Sequence, residues 1–168
     1  MKGRHAKLPP HKTLVFGLGL IPKEGVPEIK VRYNRSSKNF LGKITNSKDV
    51  ADFIRKIYAR GTLQLQEAFI ALYLNRQNEI LGYYKHSVGG ITDVIADPRI
   101  IFATALASAS VGIILAHNHP SGNTSPSGAD KELTRRMKEA GKILEIAILD
   151  HLIITKSSYF SFADQSML

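Results

Sequence analysis

The sequence has no cysteine and no tryptophan, and none of its apolar runs approaches the roughly 18 residues that a membrane-spanning helix needs. Without cysteine there can be no disulfide framework, thiolate zinc finger, iron–sulfur cluster or cysteine nucleophile, so any metal must be held by His, Asp or Glu. The first 15 residues lack the apolar core of a signal peptide, and the expectation is a cytoplasmic protein with no membrane segment. Acidic residues are scarce at one end. Residues 1–60 hold 14 Lys and Arg against 4 Asp and Glu, whereas residues 61–168 hold 9 against 10. The net charge of +9 therefore belongs to the first third, which is either a solvated basic arm or a surface for nucleic-acid phosphates.

What is present is the material of one globular domain: 168 residues, 43% apolar and 22% charged. Residues 1–45 read as a basic extension. It comprises an arm over Met1–Lys12 and one or two strands, from the run Leu14–Leu18 and the alternating Ile29–Tyr33. From residue 46 the pattern is stronger. Asn46-Ser47 can cap a helix whose apolar positions Val50, Phe53, Ile54, Ile57 and Tyr58 follow helical spacing, with Gly61 as a stop. Two apolar runs within residues 66–88, joined by the polar Asn75–Glu79, predict a β-hairpin. Asp97-Pro98 predicts a capped helix whose buried side is lined by Ile101, Ala105, Leu106 and Ala109, with an outer face of small residues, so that both of its sides can pack. Val111–Ala116 is a continuous apolar run, as in a strand covered on both faces. Ser127 then opens a helix carrying Leu133, Met137 and Ala140, with Gly141 as its C-cap, and Ile146–Phe162 reads as two strands about Lys156–Ser158. The order implies a mixed β-sheet with helices on its faces.

The chemistry gathers where the buried strand ends. His117 and His119, two apart in extended chain, project to the same side and can grip one metal ion. A nitrogen and oxygen site for zinc needs a further ligand, and Asp130, in the first turn of the next helix, can return to supply it. Three protein ligands leave a fourth position for water. The same residues have plainer uses. Ser127-Gly128-Ala129-Asp130 has the spacing of a capping box, and either histidine can be a hydrogen-bonded structural residue.

His-x-His, ten intervening residues and Asp, with Ser three before the Asp, resembles the signature of the JAMM (MPN+) zinc metallopeptidase superfamily, filled here by His117, His119, Ser127 and Asp130. The surrounding His117–Asn123 and Pro126-Ser127, with Gly90, Pro98-Arg99, Asp150-His151 and Tyr159–Phe162, resemble its bacterial RadC branch. The resemblance covers roughly residues 46–164. It implies an α/β fold of the JAMM/MPN, cytidine-deaminase-like type over residues 46–168. It also implies zinc on His117, His119 and Asp130, Glu67 as the group that takes and returns the water's proton, and Ser127 as a donor to the oxyanion. A peptide or protein would be the substrate. Asp150 and His151 are either outer supports of the metal site or a hydrogen bond within the sheet. Two departures stand out. Asn118 occupies the place where the eukaryotic deubiquitinases of this superfamily usually have Ser or Thr, and residues 1–45 show no helix-hairpin-helix pattern, which longer RadC proteins carry ahead of the zinc domain. A second reading is a DNA-associated, repair-type accessory protein. In it the basic residues 1–60 bind nucleic acid and the metal site is structural or vestigial.

Overall fold

The structure, a computed structural model, describes residues 42–58, 61–88 and 96–168. The expected arm and strands of residues 1–45 fall almost wholly outside them. In chain order the elements are helix α1 (Ser47–Ile57), a short 3₁₀ turn (Thr62–Gln64), strands β1 (Ala68–Leu74) and β2 (Ile80–Val88), and helix α2 (Pro98–Ala107). Strand β3 (Gly112–Asn118), helix α3 (Gly128–Leu144) and strands β4 (Ala147–Ile154) and β5 (Tyr159–Ser161) follow. The five strands form one sheet in the order β2-β1-β3-β4-β5. Only β3 and β4 run parallel, and α3 supplies the crossover that parallel neighbours require.

Helices cover both faces. α1 packs Val50, Ala51 and Ile54 on one face, against Ala68, Ile70, Leu72, Leu74, Ile114 and Ala116. α2 and α3 pack Ile101, Phe102, Ala105 and Met137 on the other, against Phe69, Ala71, Tyr73, Ile113 and Leu115. The sorting follows the two-residue period of a strand, and because both faces are covered every residue of β1 and β3 is buried. That period decides the site: His117 continues the α2/α3 face, and Asn118 continues the α1 face. Among the described residues no helix is long and apolar enough to cross a membrane.

Three local expectations are corrected. α1 begins at its Asn46 cap but ends at Ile57, and Gly61, at φ +85°, opens the 3₁₀ turn instead of closing the helix. α2 does not pack on both sides, since Ile100 and Leu106 are 45% and 57% exposed. Leu106 therefore lies on the outer face and not the buried one, and the exposed Ala109 falls beyond the helix end at Ala107, leaving Ile101 and Ala105 on the buried side. Gly141 is interior to α3, not its cap. The helix runs to Leu144, and Glu145 takes the left-handed position at φ 56° while the Ile146 N–H bonds back to the Gly141 carbonyl at 2.9 Å. Gly141 is needed for a different reason: a Cβ there would collide with the Ile146 carbonyl oxygen.

Candidate metal centre

β3 carries the chain to His117 on the face shared with α3, and the next residue on that side is His119. Phe69, directly across on β1, stacks on the His117 ring with centroids 6.1 Å apart. The His119 backbone N–H donates to the Ile154 carbonyl at 3.1 Å, extending the β3–β4 pairing past the strand. The loop then turns at Gly122, at φ +82°, a conformation that costs glycine little, and brings the Asn123 carbonyl back to His119 Nδ1 at 2.8 Å.

Ser127 and Asp130 close a capping box at the start of α3. Asp130 N–H donates to Ser127 Oγ at 3.1 Å, and Asp130 Oδ2 accepts from the Ser127 N–H and hydroxyl, both at 2.7 Å. The box occupies only one carboxylate oxygen. The other, Oδ1, lies 3.1 Å from His117 Nε2, and Oδ2 lies 3.7 Å from His119 Nε2. Asp130 thus takes both of the roles its spacing allowed. His117, His119 and Asp130 each present an atom within 4.8 Å of the others, a group able to hold a metal ion. Burial acts to raise the Asp130 carboxyl, but His117 and Ser127 outweigh it and hold the group well below the ordinary carboxylate range.

The donor set suits a cation. A carbonyl oxygen only accepts, so His119 Nδ1 must carry the hydrogen it gives to Asn123, and a neutral His119 then has a bare lone pair on Nε2. That atom lies 3.0 Å from His117 Nε2, with Asp130 Oδ1 alongside. In the ion-free chain a hydrogen on His117 Nε2 can bridge to Asp130 or His119, and once it is released electron-rich atoms converge at one point, an arrangement that a divalent ion satisfies.

Glu67 stands outside this group, one residue before β1 and two before the Phe69 that pairs with His117. The backbone on either side of it is held by Asn118. The buried Asn118 amide accepts from Tyr58 Oη at 2.9 Å and the Ala68 N–H at 2.8 Å, and donates to the carbonyls of Leu63 at 2.8 Å and Gln66 at 2.9 Å. Both neighbours of Glu67 are therefore tied to the residue between the two histidines. Ser127 is exposed, and its one hydroxyl hydrogen goes to Asp130 Oδ2. It anchors the carboxylate, and donating to an oxyanion requires it to leave that bond.

Asp150 and His151 part company. The fully buried His151 ring meets His117 Nδ1 through its Nε2 at 3.0 Å and Thr134 Oγ1 through its Nδ1 at 2.6 Å. Burial, chiefly, pushes His151 well below its ordinary value. Asp150 turns away, accepting from its neighbour's backbone N–H at 2.7 Å, the Ser161 hydroxyl at 2.6 Å and the Ala163 N–H at 3.0 Å. It pins the chain beyond β5 to the sheet. Burial raises the Asp150 carboxyl more than these bonds lower it, so the folded chain holds this proton more tightly than the unfolded chain does. The associated stability is present below the unfolded value and is lost as pH rises through the raised native one. Asp150→Asn is expected to remove this fall, which thermal melts from about pH 4 to about pH 8 would read. A pH profile identical to wild type would contradict it. Thr134, Tyr58 and Phe69 were not anticipated as parts of the site. Of these only Thr134, one helical turn beyond Asp130, carried a sequence signal.

The model of the RadC-like JAB domain family matches residues 44–167. Similar proteins named UPF0758 include one from Flavobacterium johnsoniae, 45% identical over 127 residues, which covers 76% of this chain and 54% of the relative. Another, from Enterococcus faecalis, is 40% identical over 83% of this chain and 59% of its own length. A third, from Streptococcus sanguinis, is 38% identical over 90% of this chain and 67% of its own. The chain spans little more than half the length of the first two of these relatives. The domain that carries His117, His119 and Asp130 lies inside the matched span, and the chain belongs to the RadC-like JAB domain family.

Proposed function

We propose that this domain is a zinc-dependent hydrolase of peptide or isopeptide bonds. The observation that carries the reading is the convergence of His117 Nε2, His119 Nε2 and Asp130 Oδ1 at the end of a buried strand. Three protein ligands of nitrogen and oxygen are the donor set of a catalytic rather than a structural zinc site. A zinc ion bound there lowers the pKa of a coordinated water to about 7 and polarises the scissile carbonyl.

The chain's own residues do the rest. His117 and His119 are fixed through their Nδ1 atoms, so their Nε2 atoms stay aimed at the centre. Glu67 takes the attacking water's proton on its carboxylate and returns it to the leaving amine nitrogen as the C–N bond breaks. Ser127 keeps Asp130 in place, and in the reaction its hydroxyl turns to the oxyanion. Phe69, fully buried and stacked on His117, lines the inner side of the site with an apolar ring.

Elemental analysis and zinc titration of the purified chain test the reading. Wild type is expected to hold stoichiometric zinc. Asp130→Asn should weaken binding by more than the roughly 10–100-fold that loss of an outer partner costs. A wild-type chain that fails to bind added zinc would sink the proposal.

A further inference from the structure

We propose that Thr134 and His151 form a hydrogen-bond relay that fixes His117 with its hydrogen on Nδ1, leaving the Nε2 lone pair to face the metal centre. The proposal rests on the metal-site reading above and adds two positioning residues to it.

The direction of the relay follows from counting hydrogens. Thr134 Oγ1 lies 2.6 Å from the Asp130 backbone carbonyl, which only accepts, so the single hydroxyl hydrogen is committed there. The hydroxyl can therefore only accept from His151, 2.6 Å away, and His151 Nδ1 must carry a hydrogen. His151 is fully buried, the carboxylate beside it in sequence is turned to Ser161, and among the described residues no carboxylate hydrogen-bonds its ring, so burial outweighs the more distant charge of Asp130 and the ring is neutral. A neutral His151 with its hydrogen on Nδ1 has a bare Nε2. That atom lies 3.0 Å from His117 Nδ1, which must then be the donor. Nothing intrinsic to an imidazole pair sets the sense of such a bond, since either ring can donate. Here it is set at the far end, by a helix carbonyl one turn from the hydroxyl.

The relay runs from the backbone of one ligand, Asp130, to the side chain of another, His117, and so holds α3 and β3 in mutual register at the centre. Metal-bound histidines usually give their second nitrogen to a carboxylate, a carbonyl or water. A neutral imidazole in that place holds the tautomer without adding negative charge, which leaves His117 a weaker donor and the bound ion more electrophilic.

Side-chain ¹⁵N NMR of the metal-free chain at about pH 8, with zinc titration, tests this. In wild type and Thr134→Ser, hydrogens are expected on Nδ1 of both His117 and His151, with His151 Nε2 bare. In Thr134→Val, His151 loses its acceptor, its hydrogen moves to Nε2, His117 Nδ1 becomes the acceptor, and zinc affinity falls about 10–100-fold. The serine variant should restore both. A bare His117 Nδ1 in wild type overturns the relay, as does a valine variant with tautomers and affinity unchanged. Should the valine variant not fold, the wild-type tautomers decide alone. A wild type with the expected tautomers but no zinc binding would remove the metal reading and leave the relay standing.

Discussion

Glu67→Gln is expected to leave zinc content at the wild-type level while lowering hydrolysis of a peptide or isopeptide substrate by about 10²–10⁴-fold, the usual contribution of a positioned general base. The two readouts separate because Glu67 is not one of the atoms that converge on the centre. The amide is close to isosteric with the carboxylate and keeps a polar group at the same place. It cannot take a proton from water, so the proton-transfer step fails while the ligands remain. Zinc content and turnover measured on one preparation decide the matter. Full activity in the variant would remove Glu67 from the mechanism, and loss of zinc with activity would make it a ligand or a prop.

Asn118→Ala is expected to destabilise the fold by about 2–4 kcal/mol, a large effect for a single substitution. The side chain is fully buried, and truncation strands the Ala68 N–H and the Leu63 and Gln66 carbonyls at once, leaving the Tyr58 hydroxyl only the Ala68 carbonyl, 2.9 Å away. The site calls for two acceptor positions and two donors, which one amide supplies; a Ser or Thr hydroxyl has a single donor. This accounts for Asn in place of the hydroxyl residue that the deubiquitinase pattern suggests. Zinc affinity should change far less than stability, because Asn118 lies on the α1 face and His117 on the other. Urea midpoints and zinc titrations check both halves. A variant within about 1 kcal/mol of wild type would show that the four groups find other partners.

The parts of the molecule that were legible in its sequence are those governed by short spacing. The Asn46, Asp97 and Ser127 caps, the Asn75–Glu79 hairpin connection and the alternation that sends His117 and His119 to one side each depend on neighbours within a few residues. The Asp130 carboxylate was ambiguous because capping and ligation predict the same residue, and only the division of its two oxygens reconciles them. What stayed hidden depends on partners far along the chain. Asn118 reaches back to Tyr58, Leu63, Gln66 and Ala68, and His117 reaches forward to His151, contacts with no local pattern. Gly141 misled for a related reason. A glycine late in a helix ordinarily marks its end, but here it admits the backbone of Ile146, a packing demand that helical spacing does not encode.

One carboxylate therefore joins helix initiation to ion binding, and the two become a single thermodynamic quantity. Whatever occupies the centre binds the folded first turn of α3 and not the unfolded chain. At a free concentration one hundred times its dissociation constant, such an occupant adds about 2.7 kcal/mol to stability. That increment enters at the end of a 17-residue helix whose far end leads straight into β4 and the buried His151. Ion loading is thus expected to be expressed as cooperativity: the crossover that makes β3 and β4 neighbours is fastened from the candidate metal centre.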